Sequence, residues 1–383
     1  MIGQRKAAAF IAVAAIVASA CSSAAATPTV APATQVPVTQ APVTAPPSVA
    51  ATAAPCTVGV SWNNYAEERW AKWDEPAIKA ALAKNGATYI SNDAKSSADN
   101  QLSNVDALIN QGAKVLIILA QDGTAIKPAV TKALAAGIPV IAYDRLIEDP
   151  GAFYITFDNV LVGNMQASAL LKVKSAGNFV VIKGNKADAN ADFLRSGMVQ
   201  AGLPDVGKTD PAGKLVNVGE TYTDNWDPAN AQNEMAQLLT KNNNKIDIAF
   251  VENDGMAGGV IAALKSQGLA GKVPVSGQDG DAAALNRIAL GTQTVDVWKD
   301  ARLLGDAAGT AAAELCAKTT MDKITTTEGN SAPFNTPGGN KVNSILIKPQ
   351  AITKDNLQIV LDAKWIDQAT LCKDVTAGSV TGC

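Results

Sequence analysis

From Thr57 onward, short apolar runs alternate with longer stretches, roughly 10 to 20 residues each, in which apolar and polar positions mix at helical spacing. The runs that read as buried strands are Val58-Gly59-Val60, Val115 to Leu119, Pro139 to Ala142, Phe179 to Ile182, Ile246 to Val251 and Val273 to Ser276. This alternation is the sequence form of repeated βα units, which assemble a parallel sheet with helices on its faces. Weaker candidates lie between these runs, and together they exceed the strand number of one ordinary sheet. The pattern therefore predicts an α/β protein of two doubly wound parallel-sheet domains.

The pattern fails before Thr57. Arg5 and Lys6 precede an apolar run from Ala7 to Ala20 that ends at Cys21. At about 14 residues the run fits the core of a signal peptide (residues 1–20) and is short of the roughly 20 a membrane span needs. Ala18-Ser19-Ala20-Cys21 reads either as a lipoprotein signal, with Cys21 acylated, or as an ordinary small-residue cleavage site. Lipidation of Cys21 leaves Cys56, Cys316, Cys372 and Cys383, an even number suited to two disulfides in an oxidising compartment. Four cysteines allow three pairings, and the sequence does not choose among them, although Cys372 and Cys383 are close enough to close a small loop. Residues 22–55 are almost entirely Ala, Pro, Thr, Val and Ser without a charge, so residues 21–55 are expected to form a lipid-held tether. At about 3.1 Å per residue its full reach is on the order of 100 Å.

Composition narrows the function. The chain has 383 residues, 47% hydrophobic and 17% charged, enough for a large core. Its net charge is −3, with Lys and Arg spread singly, so no nucleic-acid partner is expected. Histidine is absent, which removes the commonest general base and the commonest transition-metal ligand. No metal and no cofactor are expected. There is no G-x-x-x-x-G-K-[ST], and no G-x-G-x-x-G stands between a strand and a helix. Gly255 to Gly259 (Gly-Met-Ala-Gly-Gly) reads as close helix packing. A glycosidase would need two carboxylates flanking a scissile bond, whereas Asp144 has Arg145 beside it, which favours the ionised form. A transcription regulator would need a DNA-binding segment where this chain has its leader and tether.

Polar clusters follow three strand candidates: Asp144-Arg145, Asn253-Asp254 and Gln278-Asp279. Ligands of parallel α/β sheets bind at such strand ends, although Asp and Asn also cap the next helix there. Arg forks, carboxylates and side-chain amides suit vicinal hydroxyls, and aromatic faces suit the C–H faces of a polyhydroxylated ring. Trp70 beside Arg69, and Trp226 between Asn225 and Asp227, are the candidate faces.

On these residues the chain resembles a known family. Residues from about 56 to 365 resemble the xylose-binding proteins of bacterial ABC importers, within the wider ribose, galactose and arabinose periplasmic-binding group. The resemblance runs through Glu67 to Trp70, Ala142 to Arg145, Phe153 to Asn159, Asn190 to Arg195, Asn225 to Pro228, Asn242 to Asp247, Ser276 to Asp279, Gly291 to Thr294 and Lys299. It implies two domains joined by a three-strand hinge and closing on one sugar. Domain I is expected over residues 56–158 and 281–317, domain II over 159–280 and 318–365, and a tail over 366–383. The implied ligand set is Arg69, Trp70, Asp144, Arg145, Asn190, Arg195, Trp226, Asn253, Asp254, Gln278, Asp279 and Lys299, with Gln278-Asp279 where the chain returns through the hinge.

The resulting expectation is an exported, monomeric binding lipoprotein, not an enzyme. It would sit on the outer face of the cytoplasmic membrane or in the periplasm. There it would deliver a monosaccharide, D-xylose first, to an ABC permease and its ATPase. Another monosaccharide, or a role as a sugar sensor on a signalling receptor, is the alternative.

Overall fold

A computed structural model describes residues 55–383; the signal-peptide run, Cys21 and the tether through residue 54 lie outside the described residues. The chain builds β1 (Thr57–Trp62), α1 (Glu75–Lys84), β2 (Thr88–Asp93), α2 (Ala98–Asn110), β3 (Val115–Ile118), α3 (Lys127–Ala135), β4 (Val140–Tyr143) and β5 (Ala152–Phe157). It crosses at Asp158 into α4 (Asn159–Val173), β6 (Gly177–Lys183), α5 (Ala189–Gln200), β7 (Leu215–Tyr222), α6 (Pro228–Lys241), β8 (Ile248–Val251), α7 (Asp254–Ser266), β9 (Ser276–Gln278), α8 (Ala282–Leu290) and β10 (Val295–Trp298). At Lys299-Asp300 it returns to α9 (Ala301–Cys316), the small pair β11 (Thr325–Thr326) and β12 (Gly329–Asn330), then β13 (Ala332–Asn335) and β14 (Lys341–Ile347). A third crossing at Lys348-Pro349 leads to β15 (Gln350–Ile352), α10 (Gln358–Asp362) and α11 (Gln368–Leu371).

The first sheet has the order β13-β14-β5-β4-β3-β1-β2 and is parallel apart from β13. In the second domain β7-β6-β8 are parallel and continue, through one bridge between Ala249 and Val275, into β9, β10 and the antiparallel β15. The two doubly wound domains and the three crossovers that the sequence predicts are both present. Strands covered by helices on both faces must be apolar on both, and β3, β4, β5 and β8 are buried along their whole length. One face of the first sheet packs Val58, Ile117 and Ile155 against Leu304 and Ala308 of α9. The other packs Leu116, Ile118 and Val140 against Val105 and Val130 of the helices opposite. Each such side chain contributes about 1.5–3 kcal/mol. The Gly255–Gly259 run does allow close helix approach, since a Cβ on Gly259 would lie 2.0 Å from the Pro228 carbonyl oxygen.

Two domain boundaries differ from the expectation. Residues 281–298 belong to the second domain, because β10 pairs in parallel with β9. Residues 318–347 belong largely to the first, because β14 pairs in parallel with β5. The return through the hinge is therefore at Lys299-Asp300 and not at Gln278-Asp279. The segment 366–383 is folded: Leu371 and Val380 join a core with Leu285, Ile288 and Trp365.

The cysteines pair as Cys56–Cys316 and Cys372–Cys383, with sequence separations of 260 and 11. The first ties the chain just ahead of β1 to the last residue of α9. Closure entropy grows with the logarithm of the loop, so the longer bridge should stabilise by about 3 kcal/mol more than the shorter one. In thermal melts, Cys56→Ser with Cys316→Ser is expected to lower Tm more than Cys372→Ser with Cys383→Ser. The reverse order would show that the C-terminal bridge holds a cooperative part of the core.

Candidate functional site

The C-terminal ends of the parallel strands in the two domains face one another across the three crossovers, and the polar residues that follow those strands meet there. Between the domains lies a narrow cavity whose walls stand close together. From the first domain its wall takes Glu67, Arg69, Trp70, Asp144 and Arg145. From the second it takes Asp188, Asn190, Trp226, Asn253, Gln278 and Asp279, and from the second crossover Lys299. Ten of the twelve residues named from the sequence are therefore together.

The domains are in contact around this cavity. Asn190 Nδ2 donates to the Asp144 carbonyl at 3.2 Å, Asn253 Nδ2 to Glu67 Oε1 at 3.3 Å, and Gln121 Nε2 to Asn225 Oδ1 at 2.9 Å. Arg145 Nε stands 2.9 Å from Asp188 Oδ2. Arg69, only 1% exposed, reaches Asp144 Oδ2 and Asp279 Oδ1, both at 3.2 Å. Lys299 Nζ, also buried, is 3.7 Å from Asp279 Oδ1. Three cations and four carboxyls thus line the cavity, a charge density sustained only when every group is compensated. Trp70 Nε1, Trp226 Nε1 and Gln278 Oε1 are buried without a hydrogen-bond partner among the described residues. Buried polar atoms of this kind normally have a partner, and a hydroxylated ligand would supply one.

Backbone strain collects at the same place. Asp144, Asn225, Trp226 and Asp279 have φ values of 60°, 57°, 58° and 100°. For a residue as bulky as Trp this is an outlier of the kind that persists where the surroundings over-determine it. Trp226 is held against Gly184, where a Cβ would lie 2.1 Å from the indole. The Arg69 guanidinium sits 4.3 Å from the Trp70 ring centroid, a cation–π stack that fixes the indole from behind.

Arg195 and Asp254 are not in the cavity wall. Arg195 turns to the far side of α5, donating from Nε to Glu220 at 2.8 Å and from Nη2 to the Pro204 carbonyl at 2.8 Å. Asp254 lies one layer below the wall, where Oδ2 accepts from the N–H groups of Gly280 and Asp281 and Oδ1 from Gln293. It is a brace for the loop that presents Asp279, while Asn253 caps α7 by accepting from Met256 N–H. Asp254 and Asp296 are both buried, and burial holds both carboxyls well above the usual range. Sequence reasoning missed Glu67 and Asp188. Glu67 stands in the run beside Arg69-Trp70 and could have been read with it, whereas Asp188 caps α5 by accepting from Asn190 N–H and carries an ordinary helix-start signature.

Two α/β domains, three crossovers and a charged, Trp-walled cavity between the domains are the build of a two-domain solute receptor. Residues 58–320 match the family model described as periplasmic binding protein domain. The chain is 38% identical over 310 residues to the D-xylose-binding periplasmic protein of Escherichia coli, covering 81% of this chain and 90% of that protein. It is 32% identical to the multiple sugar-binding periplasmic receptor of Rhizobium radiobacter, covering 80% and 89%. Among solved structures, a solute-binding protein from Chloroflexus aurantiacus in complex with D-glucose is 27% identical, with TM-score 0.71 over 82% of this chain and 97% of that one. The chain belongs to the periplasmic binding protein family.

Burial, followed by the charge of Asp279, pushes the Glu67 carboxyl up to about 7. The folded value lies above the ordinary one, so the protonated form is favoured in the folded state. This contribution to stability is fully present below about pH 4.5 and is lost as pH rises through about 7. Melting curves of the wild type and Glu67→Gln between pH 4 and 8 should therefore diverge, the wild type losing stability relative to the variant as pH rises. Parallel curves would mean that the Glu67 carboxyl is solvated.

Proposed function

We propose that this protein is an extracytoplasmic receptor that captures one monosaccharide, D-xylose first, and delivers it to an ABC import permease driven by its ATPase. The observation that carries the reading is the interdomain cavity, which combines two Trp faces with Arg69, Arg145, Lys299, Asp144, Asn190 and Asp279. Indole faces match C–H faces of a pyranose ring, and charged or amide groups at its edge match hydroxyls that both donate and accept. D-xylose is the first choice because the E. coli and Haemophilus influenzae relatives, at 38% and 35% identity, are named for it. Similarity to multiple-sugar and glucose-bound proteins keeps other monosaccharides within reach of the same scaffold.

Closure follows from the same geometry. Contacts such as Asn253 to Glu67 and Asn190 to Asp144 span the domains, so a ligand that satisfies the remaining polar atoms favours the closed form. The closed face would then be what a permease reads. Export by the leader, and anchoring through an acylated Cys21 with the uncharged segment as a tether, complete the reading.

Isothermal titration of the purified protein with xylose, glucose, ribose, arabinose and galactose tests the ligand. One-to-one binding of xylose in preference to the others is expected, weakened at least about thirtyfold by Trp226→Ala. Selective binding of another sugar would replace the ligand and leave the receptor, and binding of none would overturn the proposal. For the anchor, the mature protein should partition into detergent with an acylated N-terminal Cys21, and Cys21→Ser should release it to the aqueous phase. An unmodified, soluble wild-type product would remove the lipid.

A further inference from the structure

Asp74 takes no part in the cavity wall, yet it is completely buried in the first domain beside it. It closes a five-residue π-helical turn, Trp70–Asp74, that leads into α1, marked by the bond from Glu75 N–H to the Trp70 carbonyl. Such turns are rare and cluster at functional sites. Here the consequence is geometric. In a regular helix the residues facing Arg69 would be three and four positions on, Lys72 and Trp73; the wider turn brings Asp74, five positions on, to face it.

The contact is a fork on a fork. Arg69 Nε donates to Asp74 Oδ2 at 3.0 Å and Nη2 to Oδ1 at 2.8 Å, and the Tyr143 hydroxyl donates to the same Oδ1. Two of the three guanidinium nitrogens are thereby committed inside the first domain, which leaves Nη1 directed at Asp144 and at Asp279 of the second domain. The guanidinium plane, fixed at both ends, also sets the Trp70 ring stacked on it. A bidentate pair gives orientation as well as attraction, because only one rotation of the guanidinium satisfies both bonds.

We propose that Asp74, supplied by the π-turn and steadied by Tyr143, is a positioning residue that orients Arg69 and Trp70 for the ligand and presents Arg69 Nη1 across the cleft. The inference rests on the sugar-receptor reading for its ligand but not for its geometry, since Asp74, Arg69 and Tyr143 all belong to one domain. The groups facing Asp74 are Arg69, Tyr143 and Asp144.

A double-mutant cycle on sugar affinity, paired with a ligand-free measurement, tests it. Asp74→Asn keeps the shape but removes the charge of the fork, and should weaken binding of the preferred sugar about tenfold to a hundredfold. Tyr143→Phe, a milder change, should weaken it a few-fold. In an Arg69→Gln background the further effect of Asp74→Asn on affinity should fall below about twofold; a purely structural Asp74 would cost the same affinity in both backgrounds and would overturn the proposal. In ligand-free protein, the Arg69 Nε–H resonance should be slow to exchange and should lose that protection in Asp74→Asn. A fast-exchanging resonance in the wild type would also overturn it. Protection in the wild type without binding of any tested sugar would support the positioning contact and sink only the choice of ligand.

Discussion

A guanidinium removed from water must be neutralised where it stands, and in this protein that requirement joins the two domains. Arg69 receives Asp74 and Asp144 from its own domain and Asp279 from the other. The cost of stripping water from such a charge is several kcal/mol and is offset only by near-ideal partners. The contacts across the cleft therefore have a definite geometry. Around this centre the other cross-domain contacts, Arg145 with Asp188 and Asn253 with Glu67, repeat the same logic at lower charge. The strained backbone at Asp144, Trp226 and Asp279 is tolerated because these contacts fix the residues from several sides.

The domains exchange elements, and this shapes the site as much as any side chain does. Helix α9 follows ten strands in the chain but packs on the first domain, and β14 extends the first sheet beside β5. Three crossovers, at Asp158, Lys299-Asp300 and Lys348-Pro349, leave the chain few ways to shift one domain without turning it relative to the other. Lys299 sits on one of those crossovers and also in the cavity wall, so the joint and the site share a residue.

Much of this was legible in the sequence. Buried strands such as β3 and β8 announce themselves as continuous Val, Ile and Leu runs, and the count of such runs alone called for two sheets. The strand-end clusters and Trp70 and Trp226 located most of the cavity. The domain boundaries were not legible, because nothing in Val295 to Trp298 distinguishes a strand that stays in the second sheet from one that goes back to the first. Arg195 and Asp254 misled for a related reason: both sit on helices at the cleft, and side-chain direction is set by partners, Glu220 and the Gly280 and Asp281 amides, that lie far off in the sequence. Asp188 was hidden by its ordinary role as a helix cap, whereas Glu67 stood in the open beside Arg69-Trp70. The sequence left the cysteine pairing open: Cys372 and Cys383 stand close enough to close a small loop, but Cys56 and Cys316 approach only once α9 has returned to the first sheet.

That pairing has a mechanical side. The chain enters the first sheet at Thr57, and β1 lies inside it, flanked by β2 and β3. A pull on the N-terminus would otherwise draw directly on β1 and so on Trp62, which packs against Tyr143 and against Trp70 of the interdomain cavity wall. With Cys56 bonded to Cys316, tension is handed covalently to the end of α9 before it reaches the strand, in the way a clamp relieves a cable at its socket.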